Sequence, residues 1–214
     1  ANIITVSNFT MNEIIAYTNI TSNITVVKNG IDKFWKSNKS YKNSSNIIYV
    51  GNIRKHKNVS LLIDSFKNIN DSSFKLLLIG SSNNYLKKNN FNNENIKFID
   101  KVDREKLVEY YNNARLLVLP SKYEGFGFTP LESMACDCPA LVSDFSAIRE
   151  ICKDGAYYFN LDKKDDLKNK IINLLNNDQV CDNLIKKGRE IVKQYDWDKT
   201  VHETIKIIDK LLVN

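Results

Sequence analysis

The residues best suited to chemistry lie in one stretch, Ser121-Lys122-Tyr123-Glu124-Gly125-Phe126-Gly127-Phe128-Thr129-Pro130-Leu131-Glu132. Glu124 and Glu132 are acceptor-only side chains with seven residues between them. Gly125 and Gly127 permit a tight bend and a close approach of the backbone to a ligand, because no Cβ intervenes. The stretch follows an apolar run that stops at Pro120 and leads into a helical one. The amides of Phe128, Thr129 and Leu131 then fall in a first helical turn, where N–H groups lack intrahelical partners and the dipole favours anions. A diphosphate with neutral hydroxyls on either side suits such a cradle, and a nucleotide-diphosphate sugar has both. Two glutamates alone would read as a helix-dipole carboxylate and a surface residue. The Gly-Phe-Gly turn between a strand and a helix is what points to a site.

Other chemistries find little support. Cys136, Cys138, Cys152 and Cys181 form no C-x-x-C pair, and with only His56 and His202 no zinc-ligand spacing can be built. Cys136 and Cys138 are expected to be small core residues. Two histidines also make a Ser/His/Asp triad hard to assemble, and His56 is expected in a loop near the ligand. The 31 basic residues exceed the 25 acidic ones, for a net charge of +6, but the lysines are scattered, so a nucleic-acid partner is not expected. No apolar run approaches transmembrane length and no signal peptide opens the chain. These features imply a cytoplasmic location with reduced thiols, and at most a peripheral association with the inner face of the membrane.

The elements that must position the motif follow from periodicity. Ile3 to Val6 is expected to be a buried strand, Met11 to Tyr17 a helix and Ile24 to Val27 a second strand, closed by Asn29-Gly30. Ser37 to Asn46 is polar and aperiodic, as in a linker. Strands are then predicted over 47–50, 74–79, 96–99, 116–119 and 140–142. Helices are predicted through Val59, Leu62, Ile63 and Phe66, through Leu107, Tyr110, Tyr111 and Ala114, and over 130–135, with three more over 165–175, 181–195 and 199–212. Continuous apolar strands alternating with helices imply an α/β, Rossmann-like, doubly wound parallel sheet covered on both faces. Such sheets bind ligands beyond the carboxyl ends of their strands, at the switch point.

In S-x-x-E-G-F-G-F-x-x-L-E-S-M-A-C, the two glutamates and their spacing resemble the signature of the group-1 family of retaining glycosyltransferases with two Rossmann-like domains, the GT-B fold. The resemblance runs along the chain. Ile4-Thr5-Val6-Ser7 and Val26 to Asp32 resemble the end of the family's N-terminal domain, and Tyr49 to Asn58 its first donor-domain strand and loop. Ser133 to Pro139 with Ile148 to Ile151 resemble the following helix, strand and loop, and Tyr195 to Asp198 the approach to the last helix. It implies the C-terminal half of a GT-B fold. Residues 1–45 would be a remnant of the N-terminal domain with the interdomain linker, 46–196 the donor-binding domain, and 197–214 a helix returning toward the N-terminal domain.

Carried over by position, the resemblance makes Glu124 and Lys57 catalytic. Glu124 would contact hydroxyls of the transferred sugar, and Lys57 would neutralise the diphosphate as it departs. Gly51, Asn52, Arg54, Gly125, Phe126, Gly127, Phe128, Thr129, Leu131 and Glu132 would bind the donor, with the backbone from Gly127 to Leu131 on the diphosphate and Glu132 on the ribose. The family usually has Arg where this chain has Asn52, and Arg54 stands two residues on as a substitute. The base would lie against Asp100, Lys101 and Val102. Asp137 replaces a common family Gly and is expected to need a positive φ.

The expected function is transfer of a hexose, with retention, from a nucleotide-diphosphate sugar to a surface glycan or glycolipid. No metal or other cofactor is expected. The alternatives are a non-catalytic nucleotide-sugar-binding domain and a GT-B sugar-nucleotide epimerase. The opening Ala1 and the short N-terminal remnant imply an isolated donor half. Such a half would bind nucleotide but transfer slowly unless joined by the missing N-terminal domain or a second chain.

Overall fold

The computed structural model describes residues 2–38, 41–81 and 93–212. Six strands form one parallel sheet: β3 (Asn46–Val50), β4 (Lys75–Ile79), β5 (Ile96–Ile99), β6 (Leu116–Leu119), β7 (Ala140–Ser143) and β8 (Tyr157–Phe159). Their order is β5-β4-β3-β6-β7-β8, so the chain reverses its direction of travel across the sheet between β3 and β6. These two strands pair in parallel, Ile47 beside Leu116 and Ile48 beside Leu117. β4, β6 and β7 are apolar because both of their faces are covered: Leu76 to Ile79, Leu116 to Leu119 and Ala140 to Val142 are all buried. The doubly wound parallel sheet anticipated from the sequence is therefore present.

The covering helices bury residues at helical spacing. α2 (Val59–Lys67) buries Val59, Leu62, Ile63 and Phe66, and α3 (Arg104–Asn112) buries Tyr111. α4 (Phe128–Ala135) carries the motif and α5 (Ser146–Cys152) follows β7. α6 (Asp166–Asn176) buries Leu167, Ile171 and Leu174, while α7 (Asp178–Val192) buries Cys181, Leu184 and Ile191. α8 (Trp197–Leu212) buries none of its residues.

The first segment is a separate two-stranded parallel sheet of β1 (Ile3–Thr5) and β2 (Ile24–Val26), joined by α1 (Asn8–Thr18). β1 departs from the buried strand expected: Ile4 is exposed, since a two-stranded ribbon leaves one face uncovered. α1 starts three residues before the expected Met11 because Ser7 caps it, its Oγ accepting from the Thr10 amide at 3.0 Å.

Two other expectations change and one gains detail. The polar stretch from Ser37 to Asn46, read as a linker, is largely exposed but anchored at one residue. Tyr41 is buried, its hydroxyl 2.9 Å from Asp182 Oδ1, although residues 39 and 40 lie outside the described ones. Ile148 to Ile151, matched to a loop, lies within α5. Tyr157 to Phe159, which carries no β-branched run, forms the edge strand β8. All four cysteines are buried free thiols, and desolvation pushes Cys136 and Cys138 up to about 12.

Among the described residues, six other than glycine take left-handed backbone: Asn19, Asn23, Asn58, Asp137, Lys153 and Asp165. Asp137, expected to need it, has φ 55° and receives both arms of Arg189, at 2.7 and 2.8 Å.

Candidate functional site

At the switch point two loops leave the carboxyl ends of neighbouring strands. The loop after β3 begins at Gly51 with φ 143° and arches over Tyr49, whose hydroxyl donates to the Asn52 carbonyl at 3.1 Å. It then forms a short 3₁₀ turn over Lys55–Lys57. The loop after β6 runs from Pro120 to Gly127. The Lys122 amide donates to the His56 carbonyl at 2.7 Å, which ties the two loops together. Beside that bond Lys57 Nζ lies 2.6 Å from Glu124 Oε1, with the two side chains 21% and 15% exposed. Two residues expected to be catalytic, 67 positions apart, thus form one half-buried ion pair. His56, Asn52 and Arg54 are exposed on the same loop.

Gly127 performs the bend. Its φ is 122°, it is the N-cap residue of α4, and a Cβ there would meet Ile148 Cδ1 at 3.0 Å. Gly125 does not share this role. Its φ is not left-handed, and a Cβ on it would meet nothing closer than Thr10 Oγ1 at 4.0 Å. What Gly125 keeps clear is open space beside the motif.

No side chain caps α4, and the amides of Phe128 and Thr129 have no acceptor among the described residues. The cradle is narrower than the one anticipated up to Leu131. Pro130 has no N–H, and the Leu131 amide turns back to the Gly127 carbonyl at 3.5 Å. The Leu131 side chain is buried, as is that of Phe126, which stands edge-on to Tyr195 at 5.8 Å. Only the backbone of these two residues can face a ligand. Ser121 Oγ, at the start of the loop, is the one buried side-chain polar atom without a partner among the described residues.

Glu132 lies in the second turn of α4 and points at α3. Tyr111, fully buried, donates its hydroxyl to Glu132 Oε2 at 2.8 Å. Burial raises the Glu132 carboxyl above its ordinary value, and the Tyr111 hydrogen bond and the charge of Arg104 offset part of that rise. Tyr111, read from sequence only as a core or rim residue, is thus the partner of a candidate site carboxylate. Its place four residues after Leu107 puts it on the same face of the helix, but Tyr110 at i+3 shares that face, so spacing alone does not select it.

Asp100, Lys101 and Val102 follow β5, at the same end of the sheet as the motif. The Lys101 amide, one of those expected to meet the base, is already taken by Asp100 Oδ1 at 2.8 Å. Among the described residues no three His, Cys, Asp or Glu side chains gather as a metal site would require, and no helix is long and apolar enough to cross a membrane.

The motif also touches the first segment. The hydroxyls of Ser7 and Thr10 donate to the Gly125 carbonyl at 2.9 and 3.3 Å. Glu150 of α5 accepts the Asn8 and Phe9 amides, both at 3.1 Å, and the Asn8 side chain at 2.8 Å. Burial pushes the Glu150 carboxyl up, but these donors and the charge of Lys28 outweigh it and hold the group below its ordinary 4.5. A carboxylate depressed by folding lends stability that is present above its unfolded value and lost as pH falls through its folded one. The docking of α1 is therefore expected to loosen below pH 4.5. Hydrogen exchange on Asn8 and Phe9 checks this. Protection should drop as the medium is acidified, and Glu150→Gln should lower it already at neutral pH. Unchanged protection in both cases would contradict the assignment.

Residues 30–191, spanning the switch-point loops and the motif, match the family described as glycosyl transferases group 1. The chain belongs to this family. One relative of this group 1 glycosyltransferase is an uncharacterized glycosyltransferase of Methanocaldococcus jannaschii, 32% identical over 98% of this chain and 59% of the relative. Another is the O-antigen chain mannosyltransferase RfbU of Salmonella typhimurium, 30% identical over 92% of this chain and 56% of that protein. The group 1 glycosyltransferase chain thus spans a little over half the length of these relatives. Anabaena HepE, solved in complex with UDP and glucose, shares the fold with a TM-score of 0.84 at 15% identity, over 98% of this chain and 63% of HepE. The fold is accordingly the C-terminal half of the GT-B architecture.

Proposed function

We propose that this chain is the donor-binding half of a retaining hexosyltransferase that takes a nucleotide-diphosphate sugar and glycosylates a surface glycan or glycolipid. The observation that carries the reading is the Lys57–Glu124 pair, set at the switch point just ahead of an uncapped helix N-terminus. An ammonium has three donors and Glu124 engages one, so Lys57 can serve a diphosphate oxygen while still holding Glu124 in place. Glu124 would accept from hydroxyls of the transferred sugar, the Phe128 and Thr129 amides would hold the diphosphate, and Glu132 would take the ribose. The mannosyltransferase relative and the UDP and glucose complex of HepE support a sugar-nucleotide donor and a surface-glycan acceptor.

The paired-carboxylate scheme of glycosidases is not the model for this site, because Glu124 and Glu132 have separate partners here, Lys57 and Tyr111. The leaving group is already a good one, so catalysis would rest on positioning and on stabilising charge at the departing diphosphate. The acceptor oxygen would approach from the leaving-group side, and the product would keep the donor's anomeric configuration. Lys57 and the helix N-terminus would supply the positive charge without a metal ion.

The deciding experiment is calorimetric titration with UDP- and GDP-hexoses. One donor should bind, and Glu132→Ala should weaken it by about tenfold or more, the worth of a hydrogen bond to a charged acceptor. A chain that binds no sugar nucleotide would sink the proposal. Activity abolished by a chelator and restored by Mn²⁺ would overturn the metal-free part, and an inverted product anomer would overturn retention.

A further inference from the structure

The Tyr111 hydroxyl has one proton and two acceptors within reach: Glu132 Oε2 at 2.8 Å and the Thr129 carbonyl at 3.5 Å. The shorter contact, to the charged acceptor, takes it. Glu132 is therefore held by one oxygen. Its other oxygen, Oε1, has no donor among the described residues, and it is not buried, since Ser121 Oγ is the sole buried side-chain polar atom left without a partner there.

The phenol itself is braced. Trp35 stands edge-on to its ring at 5.7 Å and 85°. Arg104 lies over the rings of Phe34 and Trp35, at 5.1 and 5.7 Å, and reaches Asp32 at 2.8 Å. The segment from Asp32 to Trp35 thereby pins the residue that pins Glu132. A glutamate on a helix normally turns freely about its last torsion. This one is clamped on one side and open on the other.

We infer that Tyr111 is a positioning residue for the donor's ribose, fixing Oε2 of Glu132 so that Oε1 faces outward to accept the two vicinal ribose hydroxyls. This rests on the donor-binding role proposed above. Preorganising the acceptor removes the cost of ordering it when the diol arrives, and the gain exists only for ligands that carry the diol. A tyrosine serving only as core filler would affect all ligands alike.

The test is calorimetric titration with UDP and with 2′,3′-dideoxy-UDP, repeated with the guanine pair. The wild-type chain should favour the ribose form by about tenfold or more. Tyr111→Phe keeps the ring and loses the hydroxyl, and should cut that preference to roughly threefold or less while leaving affinity for the dideoxy form unchanged. Trp35→Phe keeps the hydroxyl but loosens the brace. It should lower the preference in the same direction by roughly twofold and serves if Tyr111→Phe does not fold. An unchanged preference in these variants, or an equal loss for both forms, overturns the inference. A wild-type chain that binds nucleotide without preferring ribose overturns it alone, whereas one that binds neither nucleotide takes the proposed function down with it.

Discussion

Turnover in a Lys57→Ala variant is expected to fall by about two to three orders of magnitude, the size seen when one preorganised electrostatic donor is removed from a developing oxyanion. The loss has two parts. The departing diphosphate loses its cation, and Glu124, now lacking its ion-pair partner at 2.6 Å, presents an uncompensated negative charge to a negatively charged ligand. The second part is separable. Adding Glu124→Gln to Lys57→Ala should recover some of the nucleotide affinity, because the repulsion is gone, but none of the turnover, because sugar contacts and cation are both missing. Lys57→Arg should retain part of the rate, since the charge stays while the planar guanidinium fits a point-charge site poorly. Steady-state kinetics at saturating donor reads these effects. A Lys57→Ala rate close to wild type would remove Lys57 from the chemistry.

Gly80→Ala should be the most damaging single methyl in the scaffold beneath the site. Gly80 closes β4 with φ 135°, and a Cβ there would lie 2.3 Å from the Gly51 carbonyl oxygen and 2.8 Å from its carbon. Neither atom belongs to a flexible side chain. Either β4 shifts, breaking the Gly80 amide's 2.9 Å bond to the Ile99 carbonyl, or the Gly51 loop moves and carries Lys57 away from Glu124. Backbone strain and overpacking together should cost about 3 kcal/mol or more. In a domain of this size that is a drop in Tm of roughly 6–12 °C. Gly125→Ala is the control. Its φ is ordinary and its nearest neighbour 4.0 Å away, so thermal unfolding should barely change while donor affinity falls. Similar melting shifts in the two variants would refute this reading of both glycines.

The parts of the molecule that depend on local pattern were legible in the residues. Leu76-Leu77-Leu78-Ile79 and Leu116-Leu117-Val118-Leu119 are buried on both faces and look it. The strand–turn–helix around Gly127 followed from an apolar run, a glycine pair and a proline in the first helical turn. The parts that depend on distant partners were not. Glu150 reaches the amides of Asn8 and Phe9 across more than 140 positions, and Ser7 reaches Gly125 across 118. No periodicity encodes either contact. Tyr111 sits beside Tyr110, and only the three-dimensional packing shows which ring turns inward to Glu132. The narrowing of the amide cradle depended on how far α4 closes its own first turn, which one long bond from Leu131 to Gly127 decides.

The left-handed residues have a consequence for the denatured ensemble. The chain has only 7 glycines in 214 residues, and among the described residues five of the six non-glycine left-handed positions are filled by Asn or Asp. Each such bend carries some strain in the native form, because a Cβ is present where a hydrogen would sit more easily. The same Cβ restricts the disordered chain, which then surrenders less freedom on ordering than a glycine would. The protein thus places its corners in side chains that stiffen both ends of the folding equilibrium, and glycine introduced there would relax the corner while loosening the unfolded coil.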